Sequence, residues 1–209
     1  MAKNIEHILQ PRMPIAIVRL DDLSDALDIS KALLVGGITE IEFTLTNPQA
    51  NDVITEVRHA LVDTLTIGAG TVLDAAMAFA SIDAGAQFLV TPALLPEVIA
   101  AGVKREIPVV CGAFTPTEIL TAWRSGASLV KVFPAGQLGA GYFKDVLAPL
   151  PNIPLVPTGG VSLETCAGFL KAGAYTVAVG SQLVSKDIAR EKDWAALTER
   201  ARRFVQACA

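Results

Sequence analysis

The sequence predicts an α/β protein built as a single (β/α)8, or TIM, barrel, and three observations carry that expectation. Eight short runs rich in β-branched and other apolar residues alternate with amphipathic stretches along the 209 residues. The alternation meets no linker, low-complexity segment or shift in composition, so one domain over residues 1–209 is expected. A small-Gly-small tripeptide recurs before several strands, as Ala84-Gly85-Ala86, Ser125-Gly126-Ala127 and Ala172-Gly173-Ala174. Each reads as a helix stopped on a left-handed glycine with a strand starting at once. An open doubly wound sheet is the competing architecture, but no Gly-rich dinucleotide fingerprint follows the first strand.

Taken in order, a short N-terminal helix, Asn4–Gln10, is expected to cover the barrel bottom. The first strand is Pro14–Leu20, and the helical spacing of 23–35 stops at Gly36-Gly37. Strands Glu40–Leu45, Thr66–Thr71, Phe88–Pro92 and Pro108–Ala113 follow. Thr115 then caps a helix from Pro116 to Trp123, with proline at its first position. After the strand Leu129–Pro134 and the strand Pro154–Gly160, a helix from Ser162 has a serine cap and stops at Gly173. The strand Thr176–Ser181 and a last helix over roughly Trp194–Ala207 complete the set.

Composition limits the function classes. A formal net charge of −4, with scattered basic residues, argues against a nucleic-acid partner. No apolar run approaches the ~20 residues of a membrane span, and the Met1-Ala2-Lys3-Asn4 start lacks a signal-peptide core. Cys111, Cys166 and Cys208 are distant from one another and form no CxxC pair, which fits a reduced, cytoplasmic protein without disulfides or zinc. No metal-ligand cluster and no cofactor motif is present, and His7 and His59, both placed on helices, are assigned no chemistry. Apolar residues make up 52% of the chain, and a surface buried between copies would absorb the excess.

Strands of a closed parallel barrel are buried on both faces, so a charge within one needs a reason. Four stand out: Arg19, Glu40, Glu42 and Lys131. Glu40 opens its strand and reads as a solvated residue at the bottom. Arg19, Glu42 and Lys131 fall in the last halves of three strands, at the end of the barrel where active sites are built. Side chains alternate along a strand. Ile41, Phe43 and Leu45 on one strand, and Val130 and Val132 on the other, would face the helices, turning Glu42 and Lys131 inward. Burial lowers the pKa of a lysine and leaves a nucleophilic neutral amine, while a nearby carboxylate opposes part of that shift. A rim lysine paired with Glu42 is the plain alternative.

The glycines add an anion site. Thr158-Gly159-Gly160 ends the seventh strand and Gly180-Ser181 the eighth, where this fold frequently binds phosphate. Either pair alone would read as a tight turn; together, with a helix N-terminus following the first, they favour a phosphate or similar anion. Gly68-Ala69-Gly70-Thr71 offers a further small-residue loop, for a carboxylate or simply for close packing.

Ile41-Glu42-Phe43-Thr44-Leu45, Gly68-Ala69-Gly70-Thr71-Val72-Leu73, Ala84-Gly85-Ala86-Gln87-Phe88, Val130-Lys131-Val132-Phe133-Pro134-Ala135, Pro157-Thr158-Gly159-Gly160-Val161 and Val179-Gly180-Ser181 occur in that order. The chain thereby resembles the 2-keto-3-deoxy-6-phosphogluconate (KDPG) and 4-hydroxy-2-oxoglutarate (KHG) aldolase family over nearly its whole length. Lys-x-Phe-Pro-Ala is the most specific piece. The resemblance implies a metal-free class I aldolase, usually a homotrimer, that cleaves KDPG to pyruvate and glyceraldehyde 3-phosphate. It makes Lys131 the Schiff-base lysine and Glu42 the general acid/base. Thr71 and the preceding glycine become pyruvate-carboxylate contacts, Phe133 a neighbour of the lysine, and Gly159, Gly160 and Ser181 the phosphate pocket, which Gly180 adjoins.

One departure concerns Thr46, where many KDPG aldolases carry an arginine. The related 2-keto-3-deoxy-6-phosphogalactonate (KDPGal) aldolases also lack it and have an arginine ending the first strand, which Arg19 matches. Thr158, by contrast, resembles the gluconate enzymes. KDPG is thus the expected substrate, with KDPGal or KHG as alternatives. A phosphate-binding isomerase or epimerase without a covalent step is a more remote one.

Overall fold

The computed structural model describes Ile5 and residues 7–209. Eight strands form the barrel wall: β1 (Ile15–Val18), β2 (Glu40–Thr44), β3 (Thr66–Gly70), β4 (Phe88–Val90), β5 (Val109–Ala113), β6 (Leu129–Val132), β7 (Leu155–Pro157) and β8 (Ala178–Val179). All neighbours pair in parallel, in the order β7-β6-β5-β4-β3-β2-β1-β8. A parallel bridge between Thr158, after β7, and Ala178 of β8 joins the two ends and closes the wall. The expected barrel is therefore present.

The helices are α1 (Ala26–Val35), α2 (Ala50–Ala60), α3 (Ala75–Asp83), α4 (Pro96–Arg105), α5 (Pro116–Arg124), α6 (Gly139–Leu147), α7 (Cys166–Lys171), α8 (Lys186–Glu191) and α9 (Trp194–Cys208). Local chemistry explains their ends. Thr115 accepts from the Glu118 amide while Glu118 accepts from the Thr115 amide, a reciprocal cap at the start of α5. The three repeated tripeptides do what their composition implies: Gly85, Gly126 and Gly173 stand at φ of 103°, 103° and 99°. A side chain is strained in that region, whereas glycine turns the chain there freely.

Side-chain alternation separates two cores. Ala16, Val18, Ile41, Phe43, Ile67, Ala69, Leu89, Val130 and Val132 pack outward against the helices. Ile15, Ile17, Phe88, Val90, Val110, Leu129, Val156 and Ala178 fill the barrel interior with Ile5 and Leu9 from the N-terminal segment. Gly68 makes room for this layer, since a Cβ there would stand 2.5 Å from the Phe88 ring. The segment before β1 covers the bottom, as expected. Asn4 and Glu6 of the expected helix lie outside the described residues. The described part is one helical turn, in which the Ile8 and Leu9 amides both donate to the Ile5 carbonyl. His7 lies in this turn, and His59 in the last turn of α2.

Two expectations need correction. Glu40 is not solvated but 1% exposed, because the N-terminal segment folds over it and the Gln10 amide donates to its Oε1. The helix expected from Ser162 begins only at Cys166 and has six residues. Ser162 and Thr165 instead form a hydrogen-bonded turn, in which the Ser162 amide donates to Thr165 Oγ1.

Candidate active site

At the C-terminal end of the strands lies a cavity of about 350 Å³. It is lined by Arg19, Glu42, Thr71, Lys131, Phe133, Thr158, Gly159, Gly160, Gly180 and Ser181. All ten site residues expected from the sequence are thus brought together, from β1, β2, β3, β6 and the loops after β7 and β8.

β2 and β6 supply the two groups that burial perturbs. Lys131 is 7% exposed and sits in register with Gly112 of β5 and Val156 of β7. Desolvation lowers its pKa; the Glu42 carboxylate pulls it back up, and the Arg19 cation pushes it further down. The Phe133 ring lies 5.2 Å from the Lys131 amine, measured to the ring centre, and shields it from one side. Glu42 is 2% exposed, and among the described residues its Oε2 has no hydrogen-bond partner. Desolvation raises its pKa, against the attraction of Lys131 and Arg19. Both shifts run in the direction of the neutral form, and the attraction between the two groups opposes each of them.

Thr71 follows β3 in the left-handed region, at φ 59°. That conformation is a genuine outlier for a β-branched residue and costs of order 1–3 kcal/mol, so its surroundings must impose it. The constraint is visible on both sides: Leu45 donates to the Gly70 carbonyl, and the Val72 amide to the Val90 carbonyl of β4.

The loops after β7 and β8 bring glycines and backbone amides to the cavity. Gly159 and Gly160 stand at φ 80° and 76°. A side chain on Gly160 would come within 2.9 Å of the Gly136 α-carbon, so the loop is as close to its neighbour as glycine allows. Among the described residues, the amides of Gly160, Val161, Ser181 and Gln182 donate to no protein acceptor, although all four residues line the cavity. With α7 starting four residues after Ser162, the unused donors on this side are loop amides and not a helix terminus.

Arg19 is exposed and lines the cavity mouth. Its two acidic sequence neighbours are engaged elsewhere: Asp21 pairs with Lys186 at 2.5 Å, and Asp22 accepts from the Ser24 amide. Residues absent from the sequence-based set also line the cavity, namely Ile17, Thr44, Thr46, Pro92, Val161, Ala178 and Gln182. Thr44 and Thr46 share a hydroxyl–hydroxyl bond of 2.9 Å. Thr44 lies on the same strand face as Glu42, which was a usable signal. Pro92 reaches the cavity because Gly112 lets it: a Cβ at Gly112 would stand 2.4 Å from the Pro92 carbonyl carbon. Nothing local in the sequence marks Gln182. Among the described residues no cluster of His, Cys, Asp and Glu could hold a metal ion.

Comparison with known proteins places the chain in a family. The family profile described as KDPG and KHG aldolase matches residues 5–200. A 2-dehydro-3-deoxy-phosphogluconate aldolase of Pseudomonas aeruginosa is 33% identical over 193 residues, covering 91% of this chain and 86% of that protein. A 2-dehydro-3-deoxy-6-phosphogalactonate aldolase of Escherichia coli is 36% identical over 176 residues, covering 83% of this chain and 86% of its own length. Among solved structures, one of native KDPGal aldolase type superposes with a TM-score of 0.87 at 33% identity, covering 93% of each chain. The KDPG aldolase of Legionella pneumophila, captured with pyruvate as a covalent carbinolamine, superposes with a TM-score of 0.83 at 28% identity, covering 91% of this chain and 92% of its own.

Proposed function

The chain belongs to the KDPG and KHG aldolase family, and from that premise we propose that it is a class I aldolase in which Lys131 is the nucleophile and Glu42 the acid/base. The substrate is a 2-keto-3-deoxy-6-phospho sugar acid, KDPG in the first place, and the products are pyruvate and glyceraldehyde 3-phosphate. The observation that carries this reading is the pairing of a buried lysine and a buried glutamate in one cavity, each pushed by desolvation toward its neutral form.

The neutral Lys131 amine attacks the C2 ketone, and a proton shift from nitrogen to oxygen gives the carbinolamine. Glu42, as the acid, protonates the carbinolamine hydroxyl, directly or through a water. Water leaves and an iminium remains. The resulting Glu42 carboxylate takes the C4 hydroxyl proton. The C3–C4 electrons flow into the iminium, releasing the aldehyde and leaving an enamine. Glu42 returns its proton to C3, and addition of water frees pyruvate and restores both side chains. General acid–base help of this kind is worth about 10²–10⁴-fold in rate. The phosphate is held by the free amides after β7 and β8, and the carboxylate by Thr71, the preceding glycine amides and Arg19.

The test is chemical trapping. Borohydride reduction in the presence of pyruvate should fix one pyruvyl group on Lys131, and none on Lys104, Lys144 or Lys171, which lie on α4, α6 and α7. An adduct mapped to another lysine would remove the central assignment.

One observation favours a second substrate reading. Thr46 takes the place of an arginine, while Arg19, just after β1, lines the cavity and makes no direct ion pair among the described residues. That arrangement resembles the KDPGal enzymes, so the comparison to make is the rate of cleavage of the two C4 epimers. We further propose a single-domain protein that works as a cytoplasmic homotrimer. Leu73 and Phe114, after β3 and β5, are 48% and 42% exposed and offer apolar surface for assembly. Cys111, Cys166 and Cys208 are free and buried, in keeping with a reducing compartment. Among the described residues no helix is long and apolar enough to cross a membrane.

A further inference from the structure

An acid/base group must sit still to work, and Glu42 has little to hold it. Among the described residues no hydrogen bond reaches its carboxyl, and Oε2 is buried with no partner at all. A carboxyl without such bonds can be placed only by packing and by the pull of Lys131 and Arg19. The packing contact is specific. A Cβ on Gly70 would stand 2.4 Å from Glu42 Oε1, 2.9 Å from its carboxyl carbon and 3.2 Å from Thr44 Cγ2. The carboxyl therefore rests in the space that the missing side chain leaves. Register alone does not create this contact: Glu42 is opposite Gly68, and Gly70 is two residues further up β3, opposite Thr44. The Glu42 side chain leans toward the cavity mouth and lies across the neighbouring strand.

We infer that Gly70 is a positioning residue for Glu42, whose missing side chain is the seat that fixes the acid/base against the substrate. This rests on the acid/base assignment proposed above and adds what holds that group in place. Gly70 does not have a positive φ, so the backbone itself accepts alanine. The closest atoms to the new methyl belong to the Glu42 carboxyl, which has to move by about an ångström to clear it. A misplacement of that size costs roughly 10²-fold in rate.

A double-mutant cycle tests this, with turnover of the phosphorylated substrate and borohydride trapping of pyruvate on Lys131 as separate readouts. In the parent, Gly70→Ala should lower turnover by about 10²-fold while Lys131 is still trapped at saturating pyruvate. Glu42→Asp shortens the side chain and empties the seat. In that background Gly70→Ala should cost only a few-fold. Equal losses in both backgrounds would mean that Gly70 acts through its amide or the carboxylate site, and would overturn the inference. So would near-normal turnover of Gly70→Ala. If Gly70→Ala folds poorly, the same contact requires that adding Glu42→Asp restores folding, and failure to restore it also counts against the seat. Near-normal turnover of Glu42→Gln would instead remove the acid/base assignment itself, a result the cycle keeps distinct.

Discussion

Arg19 shows at the scale of one residue how position and partners combine. It ends the strand next to β2 and β8, and in register Ile17 of the same strand faces Glu42. Its charge reaches both buried groups, since it disfavours the Lys131 ammonium and favours the Glu42 carboxylate. Asp21 and Asp22, the nearest candidates to neutralise it, are committed to Lys186 and to the Ser24 amide. A planar, two-pronged cation facing a cavity suits a carboxylate in a way that an ammonium does not. Arg19→Lys should therefore weaken pyruvate, read as the concentration that gives half-maximal trapping on Lys131. Arg19→Ala with Thr46→Arg should recover part of the loss. Unchanged pyruvate affinity in Arg19→Ala would leave the carboxylate to Thr71 and the glycine amides alone. Glu42 and Lys131 were legible in the sequence, because a charge on a doubly buried strand is anomalous and period-two alternation gives its direction; Arg19, just past the end of β1 and exposed, stood out only as a charge near a strand end. Glu40 obeys the same alternation and was misread, because its burial depends on the Gln10 amide, 30 residues away in the chain.

The elements show the same division between local and distant causes. The α5 cap was legible because Thr115, Pro116 and Glu118 are all the chemistry that it needs. The strands were placed correctly but drawn too long: the run Pro154–Gly160 gives a ladder only over Leu155–Pro157, since Gly159 and Gly160 turn away with positive φ. The start of α7 was not legible, because Ser162 caps a turn through Thr165 as readily as it caps a helix. Without that helix end, the donors that these loops would offer a phosphate are backbone amides of the loops themselves. Four loop amides remain, two on each of two adjacent loops. A carboxylate placed among them would repel the phosphate. Ser181→Asp should raise the KM of the phosphorylated substrate by far more than that of 4-hydroxy-2-oxoglutarate, which carries no phosphate. Equal effects on the two would move the phosphate away from the β7 and β8 loops.

At the scale of the whole molecule, the barrel has a working end and a sealed end, and each contains a buried glutamate. Glu42 at the working end meets Lys131 and Arg19. Glu40 at the sealed end meets no cation among the causes of its shift: burial pushes its pKa from 4.5 up to about 8, opposed only by the hydrogen bond from the Gln10 amide. Among the described residues its Oε2 is buried with no hydrogen-bond partner, so ionising it would leave a charge without compensation there. The folded state thus holds a proton on Glu40 through a pH range in which the unfolded chain releases it. Where the folded state binds more protons, stability falls as pH rises. The contribution is intact below about pH 4.5 and is lost progressively as the pH climbs to about 8, where Glu40 itself ionises. A shift of this size corresponds to a few kcal/mol, at about 1.4 kcal/mol per pH unit. Glu40→Gln keeps the shape and an oxygen for the Gln10 amide but has nothing to titrate. Denaturant unfolding at a series of pH values should therefore find the two proteins converging near pH 4.5, and the variant the more stable by a few kcal/mol above pH 8. Taking the difference cancels the titrations of Glu42 and Lys131, which both proteins share. A constant difference across that range would mean that Glu40 is ionised throughout, paired with something beyond the described residues or reached by water from the barrel bottom.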